Sequence, residues 1–140
     1  MAASDESFLS RRIDGAALPL VAVDFLALAV VLTIGVVTHN GVGYLSTSPV
    51  EWLLTLVPFF VGWAIAGPIV GAYSAGAAES AKAAIPLAIR AWIPGAIVGF
   101  VLRASPLFAG GFEITFGVVV LVTCAVGLGV FRWLFFALFR

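Results

Sequence analysis

The chain has 140 residues, 63% of them hydrophobic and only 10% charged, with seven Lys and Arg against seven Asp and Glu. One domain's worth of sequence with that balance cannot bury its apolar groups by folding on itself, so a soluble globule is excluded and lipid must supply much of the surroundings. The zero net charge leaves no basic surface for a phosphate backbone, which excludes nucleic acid as a partner.

Residues 1–17 form a polar leader, with Asp5, Glu6, Arg11, Arg12 and Asp14, expected on the cytoplasmic side. After it comes a single transmembrane domain, residues 18–138. A span needs ~20 mostly apolar residues to cross ~30 Å of hydrocarbon, and four stretches qualify: 18–38, 50–72, 85–102 and 114–138. The predicted fold class is therefore all-α, a polytopic four-helix transmembrane bundle. The first stretch is too long for a secretory signal core and no small-x-small cleavage pattern follows it, so it reads as a retained span.

The first span carries Asp24 and ends near His39. Ser48-Pro49-Val50-Glu51 opens the second with the pattern of a capping box, with Pro at the first helical position. Pro58 and Pro68 in that span, and Pro94 in the third, each remove a backbone hydrogen bond and predict bends. The third span carries Arg90 and runs towards Arg103 and the turn residues Pro106 and Gly110-Gly111. Glu113 opens the fourth, where a carboxylate suits the positive helix end, and Arg132 lies near its far end. Trp52 and Trp133 suit the two headgroup layers.

Cationic loops resist translocation. One side holds Arg11, Arg12, Lys82, Arg132 and Arg140, with Arg90 nearby, and the other holds Arg103, which puts both termini in the cytoplasm. An ionisable group inside the bilayer costs about 2.5–3.5 kcal/mol at a helix centre, and such groups mark function by default. Asp24, Arg90 and Arg132 reach similar depths on the inner side and make a candidate charge cluster. It reads either as a structural ion pair with snorkelling arginines or as a proton, ion or substrate site. A weaker outer level holds His39, Glu51, Arg103 and Glu113. On the third span Arg90 points about 180° away from Gly99, so two different partners must cover those faces.

Gly67 with Gly71, and Gly95 with Gly99, have the four-residue spacing that lets helix backbones touch, within the bundle or in a homo-oligomer. Thr33, Thr55 and Thr123 are expected to bond their own helix carbonyls. Cys124 is the single cysteine and the chain has one His. No metal set, cofactor motif or catalytic constellation is legible, and the chain is not expected to be an enzyme.

Asp24, His39, the run Pro58-Phe59-Phe60-Val61-Gly62-Trp63, then Arg90-Ala91-Trp92-Ile93-Pro94-Gly95 through Gly99 and Arg103, and the closing Phe112 to Phe116 resemble a known family. It comprises small four-helix membrane proteins of archaea and bacteria, catalogued as domain of unknown function three thousand and fifty-four, and the likeness covers roughly residues 20–135. The resemblance implies a membrane bundle and assigns no activity. It marks Asp24, His39, Pro58, Gly62, Arg90, Trp92 and Arg103 for testing.

Two functional readings follow. One is a small permease or channel-like protein, oligomeric, with the inner cluster as its gate or site. The other is an accessory subunit whose glycine faces dock onto a larger membrane complex. The lipid bilayer is the partner common to both.

Overall fold

A computed structural model describes residues 12–108 and 111–140. Asp5, Glu6 and Arg11 of the polar leader, and Gly110, lie outside the described residues. Four helices carry the chain back and forth: α1 (Pro19–Asn40), α2 (Pro49–Val70), α3 (Ala81–Ala104) and α4 (Ile114–Phe139). All four are long and apolar enough to cross a membrane, and the protein is an all-α, multi-pass membrane bundle. Each helix packs on its neighbours in sequence and α1 packs on α4, which closes a ring of four.

Local sequence sets the helix limits. Pro19 supplies the preset φ of the first turn of α1, and Gly41, at φ 87°, ends that helix in a conformation that favours glycine. The third helix starts at Ala81, four residues before the predicted Ile85, because the Ser80 hydroxyl accepts from the Ala83 N–H at 3.2 Å. Both α2 and α3 continue through internal prolines, Pro58 and Pro68 in the one and Pro86 and Pro94 in the other.

The expected capping box at the start of α2 does not form. A one-turn helix, Tyr44–Thr47, ends at Ser48, and the Ser48 backbone N–H bonds to the Tyr44 carbonyl at 2.8 Å. That leaves Glu51 no N–H to reach back to, and the Ser48 hydroxyl accepts no capping bond.

The glycine pairing also differs from expectation. Gly71 is not a packing residue; it terminates α2 in the left-handed region, at φ 103°. Gly67 lies against the Tyr73 and Trp63 rings rather than another helix. The close approach of α2 and α3 is made by Gly62 on Gly95 and Gly99, where a methyl group on Gly62 would collide with the Gly95 carbonyl. Gly99 in turn receives the Phe59 ring. On the opposite seam, Gly127 of α4 takes the Val31 side chain of α1.

Phe59, Trp63, Trp92, Leu28, Leu128 and Cys124 fill the centre and are fully buried. The outward faces carry Val57, Val61 and Ile65 on α2 and Ile89, Ile93 and Ile97 on α3, an apolar belt suited to lipid tails. At the end where α1 begins, the chain before α1 folds back over the α2–α3 connection. The Asp14 N–H bonds to the Tyr73 carbonyl at 2.7 Å, and Arg140 donates to the Ala16 carbonyl at 2.9 Å.

Candidate functional site

The end of the bundle where α1 begins holds a buried ion pair. Leu20, Asp24 and Leu28 line one inward face of α1 at four-residue spacing, and the Asp24 carboxylate meets Arg132 from α4. Arg132 Nε donates to one carboxylate oxygen at 2.8 Å and Nη2 to the other at 2.6 Å, with both side chains 0% exposed. The same guanidinium donates to the Ala72 carbonyl at 3.0 Å and to the Ala84 carbonyl at 2.8 Å. Four of the roughly five guanidinium N–H groups are thus bonded within the protein. One side chain ties α1, the α2–α3 connection, α3 and α4 together.

Aromatic rings continue from this pair towards the other end. The Arg132 guanidinium carbon lies 5.7 Å from the centre of the Tyr73 ring, and Trp63 Nε1 donates to the Tyr73 hydroxyl at 2.6 Å. Burial pushes the Tyr73 phenol above its ordinary range, and the Asp24 charge beside it pushes the same way. Trp63 abuts Trp92, Trp92 abuts Phe59, and Phe59 abuts Phe100 and Phe116. Trp92 Nε1 donates to the Leu121 carbonyl at 3.0 Å. The column ends where the Arg103 guanidinium stacks on Phe116 at 4.3 Å.

Arg90, expected in the inner cluster, is not in it. Ala84, Ala88, Ala91 and Trp92 form the buried side of α3, and Arg90 is exposed on the other side. The observed start at Ala81 also lies further from Arg90 than the predicted start did. Of the two partners expected for this helix the structure shows one: α2 covers the glycine face, while Arg90 is exposed on the other. Thr33 likewise departs from expectation: it accepts from Trp52 Nε1 at 2.9 Å, whereas Thr55 and Thr123 bond their own helix carbonyls.

At the opposite end, where α1 finishes, His39, Arg103 and Glu113 come together with Thr115 and Phe116 around a cleft of about 300 Å³. An adjoining cleft of about 290 Å³ runs inward between the helices, past Asn40, Thr55 and Val120 to Thr123. Glu51 joins neither; it lies exposed in the first turn of α2, whose inward face begins at Leu56. His39 Nδ1 donates to the Gly35 carbonyl at 2.9 Å, which leaves Nε2 uncommitted within the described residues. Arg103 Nε is buried with no hydrogen-bond partner among the described residues, and Glu113 forms no ion pair with Arg103.

Phe116 was visible only within the resemblance. Asn40, Thr55 and Thr123 carried no signal as lining residues, and nothing marked Tyr73 as a neighbour of the inner pair. Among the described residues no three His, Cys, Asp or Glu side chains stand close enough to share a metal ion.

Residues 21–135 match the family model described as protein of unknown function (DUF3054). No curated protein and no solved structure matches the chain.

Proposed function

The chain belongs to this DUF3054 family, and we propose that it acts as a small permease that takes a small organic anion into its outer vestibule. The observation that carries the reading is Arg103: a half-buried guanidinium, stacked on Phe116, whose Nε finds no partner among the described residues beside a cleft it shares with His39. A buried donor left unbonded is costly, and an anionic group supplies the missing acceptor.

Val31, Leu32, Val36, Val119 and Val120 give the cleft an apolar wall, and its volume of about 290 Å³ suits a small solute with a hydrocarbon part. Beneath it the buried Phe59, Trp92 and Leu128 block the way inward. This arrangement fits a vestibule open on one side and shut on the other, with the Asp24–Arg132 pair as a lock on the closed side. The inner pair has its acceptors already supplied by protein, which favours a structural role for it over a solute site. Arg12, Lys82 and Arg140 gather at that closed end, so we place it, and both termini, in the cytoplasm.

The accessory-subunit reading rests on glycine faces free to dock, but Gly95 and Gly99 are already covered by α2. Its main support is therefore weakened.

The test is a melting-temperature screen of purified protein against small carboxylates and organic phosphates, followed by counterflow in proteoliposomes. At least one such anion is expected to stabilise the wild type and exchange across the membrane. Arg103→Gln should weaken that response tenfold or more, by order of magnitude for a lost charged hydrogen bond. A panel with no stabilising anion, or an Arg103→Gln protein that responds like wild type, would overturn the reading.

A further inference from the structure

Between the first and last turns of the four helices, Arg90 is the one described charge that is exposed. Its depth follows from the inner pair. Arg132 bonds to the Ala84 carbonyl, so Ala84 marks the level of that pair, and Arg90 lies six residues further along α3, roughly 9 Å at the helical rise. Measured from Ala81 it is nine residues in, roughly 13–14 Å of a hydrocarbon layer of ~30 Å. No hydrogen bond or ion pair to another described residue satisfies its guanidinium. The neighbours on its face are Ile89, Ile93 and Ile97, all exposed and apolar.

A second copy of the chain in the same membrane orientation does not supply the missing anion. The described carboxylates Asp14, Glu51, Glu79 and Glu113 sit at helix ends or in connections, and Asp24 is buried against Arg132. The surroundings supply phosphate instead. Helical side chains tilt towards the N-terminus, which on α3 is the end carrying Lys82. Lys82, Pro86 and Arg90 follow one another at four-residue spacing and are all exposed, so they form one stripe. Glu79, the carboxylate nearest Lys82 in sequence, makes no ion pair with it.

We propose that this stripe binds one anionic phospholipid, whose phosphate is drawn below the headgroup plane by Arg90 and held jointly with Lys82 while its acyl chains lie along Ile89, Ile93 and Ile97. The guanidinium fork suits a phosphate, and the long stem lets it work from beneath the surface. Two cations with no carboxylate partner among the described residues favour a lipid of net negative charge over one whose own ammonium already balances its phosphate. The inference is independent of the vestibule reading, because it uses neither Arg103 nor the outer cleft.

The experiment uses the full chain in a neutral maltoside detergent, with melting temperature and native mass spectrometry as readouts. The probes are phosphatidylglycerol, phosphatidylcholine and glycerol 3-phosphate. Wild type is expected to retain one phosphatidylglycerol and to be stabilised by it, with weaker binding of phosphatidylcholine and no response to glycerol 3-phosphate. Lys82→Gln and Arg90→Gln should each weaken phosphatidylglycerol binding about fivefold, the effect of one cation at a membrane surface.

If Arg90→Gln fails to fold, Lys82→Gln and Arg90→Lys carry the test, the latter keeping the charge but not the fork. Unchanged phosphatidylglycerol binding in both overturns the proposal. So does equal retention of the two lipids, or a full response to glycerol 3-phosphate, which marks a free-phosphate site. A lipid-free dimer that Arg90→Gln converts to monomer puts a second copy on the stripe and overturns it as well.

Discussion

The indole N–H of Trp63 donates to the Tyr73 hydroxyl at 2.6 Å, and this bond joins the middle of α2 to the connection that follows it. Tyr73 is buried beside Asp24, and both conditions hold its phenol above the ordinary range. An unfolded tyrosine ionises near pH ~10, whereas the folded one keeps its proton beyond that. At this residue the unfolded chain therefore loses its proton first as pH rises, so the stability that Tyr73 contributes is intact below pH ~10 and falls above it by up to about 1.4 kcal/mol per pH unit. Melting curves across the alkaline range should show this decline. In Tyr73→Phe the decline above pH ~10 should be shallower than in wild type, at a cost of about 1–3 kcal/mol at neutral pH for the unbonded Trp63 N–H.

Removing one member of the Asp24–Arg132 pair strands the other away from water. Asp24→Asn or Arg132→Gln should destabilise the bundle by about 3–5 kcal/mol, and the joint replacement Asp24→Leu with Arg132→Met should cost less than the sum of the corresponding single changes. Denaturant titration of the two singles and the double in detergent makes the comparison. Additive losses would mean that the two side chains act separately.

Glycines in this chain separate into those that cannot accept a side chain and those that can. Gly62→Ala forces a methyl group against the Gly95 carbonyl, and the overpacking should cost about 1–3 kcal/mol. Gly35→Ala, with nothing within 4 Å of the added carbon, should be neutral or stabilising by up to about 1 kcal/mol, the helix preference of Ala over Gly. Thermal melts of both variants side by side discriminate them.

The two serines at helix starts should behave differently. Ser80→Ala removes a capping acceptor used by the Ala83 N–H and should cost about 1 kcal/mol. Ser48 makes no such bond, so Ser48→Ala should change the melting temperature little. Equal losses at the two positions would count against the geometry of the α2 start.

The four spans were legible because length and apolarity decide them before any contact is made. Their phase was legible in part. Arg90 does face away from Gly99, but a helix beginning at Ile85 would set Arg90 at the depth of Arg132, whereas α3 begins at Ala81. The early start depends on the single hydroxyl of Ser80 in a stretch of small residues. The failure at Ser48 came from a neighbouring one-turn helix that claims the same N–H, a competition that the four-residue pattern does not reveal. Gly62 was missed as a packing residue because its partners, Gly95 and Gly99, lie on another helix, so no spacing within α2 could mark it. The convergence of His39, Arg103 and Glu113 followed from their shared end of the bundle, whereas the exclusion of Glu51 depended on which way the first turn of α2 faces.

The bond between Asp24 and Arg132 spans 108 positions of the chain. During synthesis Asp24 enters the bilayer with the first helix, and its guanidinium partner arrives only with the fourth. Until then the carboxyl has no Arg132 to meet, and the carbonyls of Ala72 and Ala84 wait with it. The pair is thus a late joint: a chain that ends after its third helix leaves Asp24 without its guanidinium, and the fourth helix covers it.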